Sequence, residues 1–284
     1  MFNLAKRNLK LFFRDKSAVF FSLLAVFIII GLYVLFLGDA IAADMTEIKE
    51  ARYLMDSWMM GGLLAVTSVT TTMGAFGTMV EDQANGRAKD FYASPLKRYQ
   101  IAGGYVISSF MIGFIMCVIT FVLAEIYIVV NGGELLLLLS LFKIIGLVFL
   151  SVLASSAMIF FLVSFFSSVN AFATASTVIG TLIGFLTGIY IPIGNLPDAV
   201  QIIVKLFPIT HAGVLFRQVF MEEPLQTSFN GLPSTVVDEF KEELGVVLTF
   251  GDYTAQASTH IIVLIGVTLL FFALAVWKIS RKKY

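Results

Sequence analysis

Few side chains in this sequence are placed to do chemistry. Glu125 is the one acid inside a long apolar stretch. An ionisable group there is a functional suspect, as a proton or substrate contact, because burying its charge is costly. Its place just before Asn131-Gly132-Gly133-Glu134 favours an interfacial, solvated carboxylate over such a contact. His211 and His260 are the two histidines and Cys117 the single cysteine, too few for a metal cluster or an internal disulfide. Cys117 lies in an apolar run and reads as inert, and each histidine reads as structural. No phosphate loop of the form Gly-x-x-x-x-Gly-Lys-Ser/Thr is present, and neither His-Glu-x-x-His nor Gly-x-Ser-x-Gly occurs. No catalytic, cofactor-binding or metal site of its own is expected, and nothing points to nucleic acid.

Three polar patterns stand out. Residues 1–16 hold Lys6, Arg7, Lys10, Arg14 and Lys16, with Phe2, Ala5, Leu9 and Phe13 at helical spacing between them. That pattern predicts an amphipathic helix on an anionic membrane surface, or more simply a basic flank that sets topology. The segment 81–98 opens with Glu81 and Asp82, continues through Gly86, Arg87 and Lys89, and reaches Ser94-Pro95. Acids before bases suit a short helix and its dipole, with Ser94 and Pro95 starting the next one; an ordinary loop fits as well. Between them, 58–80 is rich in Gly, Ser and Thr: Thr67 and Thr71 share one helical row, Thr70 and Gly74 another. Small residues at that spacing allow close helix packing. A sharper reading makes this hydroxyl face the lining of a pathway.

These side chains need elements to hold them. The chain is 58% hydrophobic and 13% charged, with mean hydropathy +0.92, whereas a soluble domain is roughly 45–50% apolar and about 25% charged. A bilayer can take up that excess. Apolar runs near 18–37, 58–80, 104–129, 141–166, 171–191 and 259–277 predict six spans. The first is followed by Ala40-Ile41-Ala42, yet it is too long for a signal peptide and reads as a retained anchor. Fold class is an all-α integral membrane protein in one domain. Residues 198–220 are apolar but interrupted by Lys205, Pro208, His211 and Arg217, and predict short helices at or dipping into the outer interface.

Charge placement orients the spans. Lys6, Arg7, Lys10, Arg14 and Lys16, then Arg87, Lys89, Lys97 and Arg98, then Lys278, Arg281, Lys282 and Lys283 make 13 of the 19 basic residues. All fall on one side if both termini are cytoplasmic, as the positive-inside rule prefers.

The start of the chain, Arg7-Asn8-Leu9-Lys10 to Arg14-Asp15-Lys16, the loop residues Glu81, Gly86, Arg87, Lys89 and Ser94-Pro95-Leu96, and Phe207-Pro208-Ile209-Thr210-His211 with Arg217 resemble the permease subunit of ABC-2-type exporters. The likeness runs over essentially the whole chain; the first span departs from it in lacking the proline many members carry. It implies an amphipathic connecting helix and a coupling helix that dock separate cytoplasmic ATPase subunits, with Glu81, Asp82, Gly86, Arg87, Lys89, Lys6, Arg7 and Arg14 as docking candidates. Pro208, Thr210, His211 and Arg217 would belong to short outer helices between the fifth and sixth spans. ATP and Mg2+ would be used by the partner, and a second permease subunit would complete a pathway in the cell membrane, surrounded by lipid. Thr67, Thr70, Thr71, Gly74 and Glu125 are the candidate lining. The cargo would be a drug, an antimicrobial peptide or a lipid-like molecule. The rival expectations are a stand-alone secondary transporter or channel, for which only Glu125 is on offer, and a membrane-embedded enzyme.

Overall fold

A computed structural model describes residues 1–33, 35 and 48–281. The upper end of the first predicted span, Ala40-Ile41-Ala42, and the tail residues Lys282 and Lys283 lie outside the described residues. The described chain is helical apart from turns and one hairpin, and the fold is an all-α membrane bundle.

Helices α1 (Phe2–Arg14), α2 (Lys16–Ser22) and α3 (Leu24–Leu32) open the chain. Asp15 separates the first two and caps α2, its side chain accepting the Ala18 N–H. Leu23 interrupts the first predicted span. Next come α4 (Ala51–Ala84), α5 (Arg87–Ala93), α6 (Arg98–Val130), α7 (Leu138–Val163) and α8 (Val169–Leu186). The short helices α9 (Asp198–Leu206), α10 (Pro208–Phe220), α11 (Glu222–Ser228) and α12 (Ser234–Glu243) follow. A two-residue hairpin, β1 (Thr249–Phe250) with β2 (Tyr253–Thr254), precedes α13 (Ala257–Arg281). Helices α4, α6, α7, α8 and α13 are long and apolar enough to cross a membrane. The pair α9–α10 bends by 86° at Phe207, where Pro208 removes an N–H that a first-turn residue does not use. The expectation of short, interrupted helices over 198–220 is met by this bent pair.

Helix α4 is the least apolar of the five spans and the most enclosed, with 78% of its core window buried. The two facts are linked. Its hydroxyls bond back to their own helix, Thr67 to Leu63 O, Thr71 to Thr67 O and Thr72 to Ser68 O. Ser68 Oγ also lies 2.8 Å from Ser151 and 3.1 Å from Ser155 on α7. Polar groups satisfied in this way cost little among protein helices. Close approach on α6 needs glycine: a Cβ at Gly113 would lie 2.6 Å from Thr72 Cγ2 and 2.9 Å from Val152 Cγ1. Around α4 pack α6, α7, α8 and α10, while α13 lies on α7 and α10.

The bundle has a basic end, with α1, α5, the start of α6 and the finish of α13. Its other end carries the start of α4, the α6–α7 loop, the segment α9–α12 and the hairpin. Ser94 sits where the basic end turns, but it closes α5, its hydroxyl donating to Phe91 O at 2.6 Å, and does not start the next helix. That helix begins at Arg98 behind Lys97, because a Gln100 side chain placed to accept the Lys97 N–H completes the cap there.

Candidate functional site

Two sites gather the expected residues: a joint at the basic end and a groove midway along α4.

The joint is built on Asp82, in the last turn of α4 and fully buried. Arg7 of α1 donates to it twice, Nη1 to Oδ2 at 2.6 Å and Nη2 to Oδ1 at 3.0 Å. Tyr105 of α6 donates to Oδ2 at 2.8 Å, and Arg87 of α5 to Oδ1 at 3.2 Å. One carboxylate therefore ties four helices. The bidentate fork is a geometry a guanidinium supplies and a lysine does not. The hydrogen bond to Asp82, opposed by desolvation, holds the Arg7 guanidinium above its ordinary value. Arg7 also lies over Phe91 of α5, 5.4 Å from the ring centroid. Next to it Asn8 is buried and donates to Ser108 of α6 at 3.2 Å.

The sequence places Phe2, Ala5, Leu9 and Phe13 on the apolar stripe of α1, whereas the face packed against the bundle is Leu4, Ala5, Asn8 and Phe12. Phe2 and Phe13 point away from it and stay exposed. The helix lies between protein and its surroundings, so both faces are partly apolar. Lys6, Arg14, Glu81 and Lys89 are exposed beside the joint. Asp82 has no surface to offer, so among the docking candidates it is an anchor for Arg7 and Arg87. Gly86 precedes α5 with φ +78°, a left-handed turn that redirects the chain after α4 and suits glycine.

The groove separates the four α4 candidates. Thr67 and Thr71 are fully buried in the bundle. Thr70 and Gly74 line an open groove of about 330 Å³ with Phe21 of α2 and Ser176 and Gly180 of α8. A Cβ at Gly74 or Gly180 would meet nothing within 4 Å. These are small residues with no neighbour in this chain to require them.

At the far end Glu125 is buried, not solvated: its Oε2 accepts the Leu136 N–H at 3.2 Å, and Oε1 has no partner among the described residues. It holds the α6–α7 loop rather than facing the groove. Thr210 Oγ1 bridges Leu186 O at 2.7 Å and Val204 O at 2.6 Å, fastening α10 to α8 and α9. His211 and His260, 49 residues apart, meet with their Nδ1 atoms 2.7 Å from each other. Arg217 is fully buried against Trp58. Lys143 pairs with Glu222 at 3.0 Å. Sequence reasoning passed over the Arg52–Asp56 pair, closed by Tyr127. Its four-residue spacing on α4 was the available signal.

Residues 49–277 match the model of the ABC-2 family transporter protein. No match was found among curated proteins. The family is one of membrane transport subunits that work with ABC ATPase subunits. This multi-pass chain, with its broken α9–α10 element and its four-helix joint at Asp82, belongs to the ABC-2 transporter family as a membrane permease subunit of an ABC transporter.

Proposed function

We propose that this permease exports its cargo from the cell, in the cell membrane, with both termini cytoplasmic. The basic end then faces the cytoplasm, as the Lys and Arg placement favours. ATPase subunits, which use the ATP and Mg2+, dock on the exposed face around Lys6, Arg14, Glu81 and Lys89 and on the outer side of Arg87. A second permease, the same chain or a related one, brings its α4–α8 groove against this one, so that Thr70 and Gly74 line the shared pathway. The open groove and the modest outer segment fit an amphipathic drug, an antimicrobial peptide or a lipid-like cargo better than a large polymer.

The observation that carries the reading is the Asp82 joint. A motor gripping α1 and α5 acts on two short helices, and motion reaches the spans only if they are fastened to α4 and α6. Arg7, Arg87 and Tyr105 provide that fastening on one buried carboxylate.

The test is co-purification of the chain with its ATPase, followed by transport in sealed vesicles. Glu81→Ala with Arg87→Ala should lower the retained ATPase and ATP-driven transport together. Unchanged binding and transport would remove the docking face, and transport driven by an ion gradient alone would overturn the whole reading.

A further inference from the structure

Asp82 has a counterpart at the other end of α4. Asp56, in the second turn, is buried. Arg52 Nε donates to its Oδ1 at 3.2 Å and to its Oδ2 at 3.3 Å. Arg52 Nη2 also donates to the Tyr127 hydroxyl at 3.1 Å. That hydroxyl, in the last turn of α6, donates in turn to Asp56 Oδ1 at 3.3 Å. Three groups on two helices therefore close a ring. Tyr33, just past α3, is buried with its ring centroid 6.0 Å from the Arg52 guanidinium.

The two joints are built alike. Each ties a buried α4 aspartate to a tyrosine of α6 and to an arginine resting on an aromatic ring, Phe91 at one end and Tyr33 at the other. The helices are antiparallel, so Tyr105 near the start of α6 meets Asp82, and Tyr127 near its finish meets Asp56. Asp56 and Asp82 stand on one unbroken helix, about 39 Å apart at a rise of about 1.5 Å per residue. That exceeds a hydrocarbon core of about 30 Å, so one joint lies toward each interface. Between them Gly113 lets α6 close on Thr72 of α4. The pair is thus fastened at both ends and tightly packed in the middle. Helix α8 differs. Its hydroxyls at Thr174, Thr177 and Thr181 bond back to their own helix, and 17% of its core window is buried.

We infer that Asp56, Arg52 and Tyr127 form a positioning joint that makes α4 and α6 one rigid unit, so that motion imposed at Asp82 reaches the outer end and the pathway opens between α4 and α8. Without this joint the outer end of α4 slips against α6 and part of the stroke is lost. The inference rests on the proposed ATP-driven mechanism. It gives a part in coupling to residues that line neither the docking face nor the α4–α8 groove.

The test uses the chain co-purified with its ATPase, in sealed vesicles. Tyr127→Phe keeps the ring and removes the hydroxyl, while Asp56→Asn keeps the shape and removes the charge. Both should retain the ATPase and hydrolyse ATP near the native rate, with cargo moved per ATP lowered about threefold or more. Thr71→Val, a buried change away from both joints, should keep the native ratio. Spin labels on Glu50→Cys and Asn131→Cys, exposed at the outer ends of α4 and α6, report the pair directly in a chain carrying Cys117→Ala. In complexes with one labelled chain their distance should be the same with and without ATP. Labels on Glu50→Cys and Leu182→Cys of α8 should change theirs. A Glu50–Asn131 distance that changes as much as the Glu50–Leu182 distance overturns the rigid pair. So does a native ratio of cargo to ATP in both joint variants, or a ratio that falls as far in Thr71→Val. Should Asp56→Asn fail to fold, Tyr127→Phe decides alone. Transport that needs only an ion gradient is a different failure, that of the ATP-driven reading, and takes this inference with it.

Discussion

Arg7 and Asp82 form a two-pronged ion pair in which the acid is sealed from water while the base keeps 31% of its side-chain surface. The asymmetry sets what each deletion does. Arg7→Ala leaves a buried carboxylate with two donors, Tyr105 and the half-exposed Arg87. Asp82→Ala leaves a guanidinium that can turn to water. Stranding a buried charge costs more than freeing a solvated one, about 1–3 kcal/mol for a group left short of partners. Arg7→Ala should therefore lower the melting midpoint more than Arg87→Ala. The Arg7→Ala, Asp82→Ala cycle should show coupling of about 0.5–3 kcal/mol. Strictly additive midpoints would mean the pair holds nothing.

Gly86 offers a test of geometry without charge. Its φ of +78° links α4 to α5, and a Cβ there would meet nothing within 4 Å. Gly86→Ala is thus a pure backbone strain of roughly 1–2 kcal/mol. It should shift α5 relative to α4 and reduce ATP-driven transport while the purified chain still folds. Gly86→Asn, which tolerates the left-handed region better, should recover much of the loss. Equal transport in Ala and Asn variants would show that the turn does not set the position of α5.

The two rows of small residues on α4 should part company under mutation. Gly74→Leu adds bulk to an open groove and should leave the melting midpoint within a few degrees while strongly reducing transport. Thr70→Val should follow it more weakly, losing a hydroxyl that bonds back to Val66 O at 3.1 Å. Thr71→Val leaves the groove untouched and should act on stability alone. Gly113→Leu should prevent folding, because Thr72 and Val152 already occupy the space. Loss of transport through Thr71→Val with a native midpoint would move the pathway to the other face.

These outcomes separate what was legible in the sequence from what was not. The five long apolar helices follow from runs of apolar residues, and the break at Phe207-Pro208 from a proline inside such a run, whereas the run at 18–37 gave no sign of the interruption at Leu23. Both are local patterns. The joint is not local: Arg7 and Asp82 are 75 residues apart, and only helix packing makes them neighbours. The same holds for His211 and His260, which sequence distance made look unrelated. The Thr and Gly rows of α4 were visible by spacing, but which row faces outward depends on where α6, α7 and α8 pack. Glu125 shows the limit most plainly. Its nearness to the end of α6 fits solvation, yet the loop folds back and Leu136 covers it. Burial is a property of neighbours that one helix's sequence does not record.

Arg217 carries the last prediction. Its side chain is fully buried, with Nε donating to Trp58 O at 3.3 Å and Cζ 4.6 Å from the Trp58 ring. Neither Nη atom has a hydrogen-bond partner among the described residues. The backbone around it is tight: a Cβ at Gly61 would lie 2.9 Å from Arg217 N, while one at Gly62 would come within 2.8 Å of the movable Nη2 end and 3.5 Å of Ile189 Cδ1. Packing is then the main contribution of this side chain to stability, since a buried charge with unmade hydrogen bonds is costly. Arg217→Met, apolar and of similar length, should match or exceed the native melting midpoint. Arg217→Ala should lose about 2–5 kcal/mol by opening a cavity between α4 and α10. Gly61→Ala should destabilise more than Gly62→Ala, because backbone yields less readily than a guanidinium. If Arg217→Met melts as early as Arg217→Ala, the charge itself stabilises the fold, and packing does not explain why an arginine is tolerated there. If instead Arg217→Met is stable but transports nothing, the guanidinium serves transport, and the same pair of measurements will have separated the two roles.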